Sequence, residues 1–171
     1  MKKIFIMSIL TLFLSASGGY AFGEETVKEG TVSGTLAYSC PVTIMMMGRD
    51  VQVTFDALGV FITDSSDNPF NNAYVRILGS GLVLKGAYNE VGSTTYILSN
   101  GDKVFATYEG KSIGPKRMRG SIAFIGGTGN FSGITGKGEF ERINVLKPAM
   151  KGTTQGYTKS KFNWKIVGPK K

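Results

Sequence analysis

Histidine is absent from this sequence, and cysteine occurs once, at Cys40. The first absence excludes Ser-His-Asp and Cys-His catalytic units, the HExxH zinc helix and every imidazole metal ligand. The second excludes an internal disulfide and any cysteine-built zinc or iron–sulfur site. A chain so poor in ligands is expected to carry neither metal nor bound cofactor. No apolar stretch reaches the roughly 20 residues that a membrane-crossing helix requires. No window of about a dozen residues repeats its apolar side chains with a period near 3.6, so amphipathic helices are not expected either. Charged residues are scarce, at 19%, but 42% of the chain is apolar, which excludes wholesale disorder.

What is present begins with a leader pattern. Residues 1–21, MKKIFIMSILTLFLSASGGYA, join Lys2 and Lys3 to an apolar core and place the small residues Gly19 and Ala21 just ahead of Phe22. This is the arrangement of a cleaved secretory signal peptide. The expectation is an exported protein, periplasmic or extracellular, with one domain over residues 24–168. A mature chain of about 150 residues can bury a full core without disulfide staples. Cys40, followed by Pro41 and an apolar run, reads as a packed small hydrophobe rather than a reactive thiol.

The rest of the chain is punctuated for β-structure. Val32, Leu36 and Tyr38, and then Val51, Val53 and Phe55, are spaced by even intervals, as half-buried strands require. Further strands are expected at 59–63, 73–79, 81–88, 94–99, 103–110, 119–127, 136–145 and 157–167, with an Asn100-Gly101 hairpin signal ahead of the run at 103. Pro41, Pro69, Pro115 and Pro148 fall between these runs, and the polar stretch 64–72, DSSDNPFNN, reads as a loop. About eight or nine antiparallel strands manage their edges best by closing into a barrel, with a two-sheet sandwich as the alternative.

Charge is divided along the chain. Residues 24–110 hold five basic and ten acidic side chains, whereas residues 111–171 hold thirteen basic and two acidic ones. Lys159, Lys161 and Lys165 alternate with apolar residues along one expected strand. That basic half reads either as a solvated outer face or as a surface for an anionic envelope partner, such as lipid head groups. Nucleic acid is not an expected partner for an exported protein.

The most distinctive segment is GGTGNFSGITGKG, which contains Gly126, Gly127, Gly129, Gly133, Gly136 and Gly138. A dinucleotide fingerprint begun at Gly127 needs glycine where Ser132 stands. A P-loop ending at Lys137 needs glycine at Phe131 and a hydroxyl at Gly138. Tight turns and close backbone approach suit these glycines better.

Together with its flanks, SIAFIGGTGNFSGITGKGEF, this segment resembles the GGTG-[KRN]-[FY]-x-G-x-x-G-x-G signature of the allene oxide cyclase-like barrel proteins. These include plant dirigent proteins and many small exported bacterial proteins. The upstream GDKVFATYEGK and the strand containing Trp164 follow in the order expected of bacterial members, and the clear resemblance covers residues 101–140. It implies a single all-β domain: an eight-stranded antiparallel, calycin-like barrel with a central cavity, forming homodimers or homotrimers. Members either cyclise an unstable fatty-acid epoxide or steer the coupling of phenoxy radicals, without metal or cofactor. The residues that act in those proteins lie outside the glycine motif and cannot be carried over.

Cavity candidates therefore come from residue type. An eight-stranded barrel has room for side chains or one small ligand. Asp56 and Arg76, charged residues interrupting apolar strands, and the strand aromatics Tyr74, Tyr96 and Tyr108 are the ligand-binding candidates; no catalytic residue is assigned. Phe55, Val60, Ile77, Phe105 and Phe124 are further inward candidates, and the run Ile44-Met45-Met46-Met47 either fills core space or lines a greasy entrance. The expected function is binding of a small apolar ligand or an envelope partner. The alternative is a cofactor-free cyclase or dirigent-like catalyst in the cavity.

Overall fold

A computed structural model describes residues 27–145 and 148–167; the leader at 1–21 lies outside them. Eight strands follow one another: β1 (Val27–Met47), β2 (Asp50–Thr63), β3 (Ala73–Leu84), β4 (Ala87–Ile97), β5 (Lys103–Gly114), β6 (Arg117–Gly127), β7 (Ile134–Asn144) and β8 (Thr153–Val167). Each pairs antiparallel with its neighbour, and β1 pairs with β8, so the sheet is a closed up-and-down barrel. Closure leaves no free edge, and the sandwich alternative is excluded. The single helical element among the described residues is a 3₁₀ turn, Gly129–Phe131.

Strands expected as separate pieces are continuous. The runs at 51–55 and 59–63 are one strand, β2, and those at 73–79 and 81–88 are β3 and the start of β4, joined at Lys85-Gly86. The glycines read there as breaks are inward-facing instead. Gly79 is paired with Phe55 and Gly92, and a side chain at Gly79 would collide with the rings of Phe55 and Tyr108. Interior glycines thus make room for neighbouring rings, as the taper of a small barrel requires. Pro41 also departs from expectation, because it sits inside β1. Pairing with β2 lapses there, between Ser39↔Leu58 and Val42↔Phe55, since proline has no N–H to give the ladder.

The barrel has two unlike ends. At one, the connections 64–72, 98–102 and 128–133 fold over the lumen. Phe70, from the loop read as polar, turns fully inward, and its ring centre lies 5.4–6.5 Å from those of Tyr96, Phe124, Phe131, Phe162 and Trp164. The glycine motif serves this plug. Gly136 is paired with Phe124 and Gly138 with Phe162, so both rings lie over bare backbone. Gly127 is packed so closely that a Cβ would stand 2.6 Å from the Phe131 carbonyl oxygen. Gly129 adopts φ +55°, beside Asp102, whose carboxylate accepts from the Asn130 amide at 3.0 Å. At the other end the four remaining connections leave the lumen open.

Candidate functional site

The open end contains a cavity of about 330 Å³. Alternation dictates what faces it: even-numbered residues of β1, β4, β5, β6 and β7 and odd-numbered residues of β2 and β3 point inward. The wall is mostly apolar, with the small residues Cys40, Val42, Val53, Ala57, Ile77 and Val83 set among Tyr38, Phe55, Tyr88 and Met118.

Its polar feature is a charged pair. Glu90 on β4 and Arg142 on β7, three strands apart, meet across the lumen in a hydrogen-bonded ion pair. Both are buried, with side-chain exposures of 1% and 11%. The pair is supported from several sides. The Tyr88 hydroxyl donates to the second Glu90 carboxylate oxygen at 3.0 Å. Arg142 Nε donates to the Thr158 hydroxyl at 3.4 Å. The guanidinium lies 5.5 Å from the Phe140 ring centre, 5.6 Å from that of Tyr38 and 5.8 Å from that of Tyr108, within cation–π range. Burial works against the Arg142 charge, but the Glu90 carboxylate together with Tyr38 and Tyr108 outweighs it and holds the guanidinium above its ordinary value.

The surrounding phenols are held neutral. Burial pushes Tyr38 up to about 12, although Arg142 opposes the shift, and its hydroxyl donates to Asn144 Oδ1. Burial, reinforced by the Glu90 charge, raises Tyr88 and Tyr108 as well. Among the described residues, the Tyr108 hydroxyl is buried without a hydrogen-bond partner. Burial also raises the Cys40 thiol, which lines the cavity as a small, unreactive wall residue.

The five sequence candidates divide three ways. Tyr108 is inward, packed against Arg142 but not itself lining the cavity. Tyr96 is also inward but belongs to the aromatic plug, where it meets Phe61 and Phe70. Asp56, Arg76 and Tyr74 stand on the outer wall, because each has the opposite strand parity from the inward residues of β2 and β3. Asp56 and Arg76 form a bidentate pair with each other, 45% and 54% exposed, with bonds of 2.9 and 2.7 Å. Val60 and Phe105 likewise have outward parity, whereas Phe55, Ile77 and Phe124 point inward. The run 44–47 does not fill core: Ile44 lines the cavity, and Met45, Met46 and Met47 are exposed at its mouth. Glu90 and Arg142 were missed, although parity carries the signal. Glu90 shares a strand face with Tyr96, and Arg142 shares one with Phe140.

Similar solved structures include the pterocarpan synthase dirigent protein GePTS1, with a TM-score of 0.49 and 14% identity over 85% of this chain and 88% of that one. They also include the pterocarpan synthase dirigent protein PsPTS1, with a TM-score of 0.46 and 10% identity over 85% of this chain and 99% of that one. No family model and no curated protein matches the chain.

Proposed function

We propose that this barrel is an exported binding protein whose open-end cavity takes up one small, mainly apolar molecule carrying a polar group. The observation that carries the reading is the combination of an apolar wall with one buried, cross-lumen ion pair, Glu90–Arg142. A buried ion pair is poor value as a stabiliser, since apolar residues of similar volume often do as well or better. Placed at the floor of a cavity, it offers fixed donors and acceptors to a polar group on the ligand. The volume sits at the low end of the roughly 300–1,000 Å³ of small-molecule sites, so the ligand is compact. A catalytic alternative draws on the same residues, because neutral phenols beside a fixed guanidinium can stabilise negative charge developing on an oxygen.

The test is incubation of the purified protein with a lipid extract, followed by native mass spectrometry. Retention of a small molecule is expected, and Val83→Trp, which puts a large ring into the cavity wall, should cut retention at least about tenfold while melting changes little. Chemical conversion of the retained molecule would move the reading to the catalytic alternative. No retention, or equal retention by Val83→Trp, sinks both.

A further inference from the structure

We infer that the open mouth of the barrel docks on an anionic lipid bilayer, with the β1–β2 hairpin entering the head-group region. The first ground is charge at the seven connections. Among the described residues, Arg49, Lys85, Lys116 and Lys151 place one exposed cation on each of the four connections around the mouth, which carry no anion; Asp50, the first residue of β2, flanks Arg49. None of these cations is within ion-pair distance of a carboxylate among the described residues. The three connections at the closed end carry Asp64, Asp67 and Asp102 and no cation, with Lys103 flanking them at the start of β5. Among the described residues the connections are therefore polarised along the barrel axis, with the positive set at the opening.

The second ground is apolar exposure at that same pole. β1 runs six residues, 42–47, beyond its last pairing with β8 at Pro41↔Thr153, so the β1 side of the β1–β2 hairpin is an unpaired lip at the rim, while β2 stays paired with β3 up to Val51↔Val83. The lip is apolar on both faces: Met46 shares the inward parity of Ile44, Met45 and Met47 point outward, and Met46 is 67% exposed. Leu84, Ile113 and Met150 continue the exposed apolar surface around the rim. At the closed end the large apolar residues of the connections, Phe70, Leu98 and Phe131, are all buried, and the exposed ones, Ile62, Tyr74, Ile97 and Val167, lie on strand ends of the outer wall. Unbranched methionines beside cations match the two layers of a bilayer interface, acyl chain below and anionic head group above.

The outer wall makes a weaker case. Lys159 and Lys161, basic in sequence, are paired across the sheet with Glu141 and Glu139, and Glu141 also holds Arg117 and Arg119. Among Lys159, Lys161 and Lys165, only Lys165 faces an uncharged partner on β7, Thr135. Docking at the mouth is independent of whether the cavity holds a ligand, because it is measured without one.

The experiment is flotation of the full chain with vesicles of phosphatidylglycerol and phosphatidylcholine, or of phosphatidylcholine alone. Residues 1–26 are common to every variant, so differences among variants report on the barrel. Binding to the anionic vesicles is expected to weaken sharply between about 50 and 300 mM salt. Changing Arg49, Lys85, Lys116 and Lys151 together to Gln should lower it about a hundredfold. Met45→Ser, Met46→Ser and Met47→Ser together should lower it about tenfold, whereas Lys159→Gln, Lys161→Gln and Lys165→Gln together should leave it within about threefold. An environment-sensitive dye on Met46→Cys should shift to the blue on vesicles, and the same dye on Asn68→Cys at the closed end should not. The inference is overturned by no binding, by binding that follows the β8 lysines, by insertion of the Asn68 label, or by methionine variants that abolish self-association in vesicle-free solution instead.

Discussion

The two ends of this barrel are built on one strand rhythm and differ in the size of what that rhythm turns inward. At the closed end Phe61, Tyr96, Phe124 and Phe162 point into the lumen and Phe70 comes down between them from its loop. At the open end the small inward residues Cys40, Val42, Val53, Ala57 and Val83 stand among Tyr38, Phe55 and Tyr88, and the space left over is the cavity. Rings lie on glycine at both ends, but at the closed end a further ring from a loop, Phe70, fills the middle. Stability and the proposed binding site thereby fall at opposite ends, and the comparison can be broken from either side.

The largest effect is expected at the plug. Phe70 is fully buried against five other rings, so Phe70→Ala should cost about 3–5 kcal/mol, measured by urea unfolding. A loss under about 1 kcal/mol would mean that the closed end is not where the fold is held. Next comes the cavity floor. Arg142→Met strands the Glu90 carboxylate, at a cost of about 3 kcal/mol, the low end of the range for a broken buried pair because the open mouth admits water. Adding Glu90→Gln removes the stranded charge and should recover at least half of the loss. If the double variant is no better than Arg142→Met alone, the arginine acts through packing on Tyr38, Tyr108 and Phe140 rather than through charge.

How legible each end is in the sequence follows from the same contrast. The closed barrel and most strand positions can be read from alternation and from the glycine segment, because local rules carry them. The plug cannot, since Phe70 sits in a run of polar turn residues, and only the fold shows that the loop turns back over the lumen. The site was misread for a different reason. Asp56 and Arg76 stand out because their neighbours are apolar, but the outer face of β2 and β3 is itself apolar, with Leu58, Ile62, Tyr74 and Leu78 exposed. Apolar context therefore does not mean inside. Glu90 and Arg142 lie in more polar runs, and their meeting depends on barrel closure, which brings β4 and β7 face to face across the lumen.

A third test concerns the glycine segment as a part of the closed end. A Cβ at Gly127 meets two backbone oxygens, those of Phe131 and Lys103 at 2.6 and 2.8 Å, and backbone cannot swing aside. Gly127→Val should cost about 2 kcal/mol and lower the melting temperature without changing ligand retention. Retention lost at unchanged stability would instead make the segment part of the binding machinery.

The smallest effect sharpens the comparison by pH. Tyr38 at the cavity has its pKa raised to about 12, by burial first, against an ordinary value near 10. Below pH about 10 the phenol is neutral in both folded and unfolded chains, so its contribution to stability is complete. Between about 10 and 12 the unfolded chain loses the proton while the folded one keeps it, which favours unfolding, and the contribution is gone once the pH has risen through about 12. Tyr38→Phe gives up the hydrogen bond to Asn144, a loss of about 1 kcal/mol at neutral pH. It also removes this proton from the balance, so the parent should lose about 2 kcal/mol relative to the variant as pH rises from 10 to 12, and the two stability curves should cross. Tyr96 in the plug is shifted upward too, by burial alone, and has no charged neighbour at its ring. Tyr96→Phe should therefore flatten the alkaline limb as well, but leave its response to Arg142→Met unchanged. The Tyr38 response should change with Arg142, because that guanidinium is the one group that opposes the shift. Equal coupling of both tyrosines to Arg142 would show that the two ends share one electrostatic environment, and the division between them would fall.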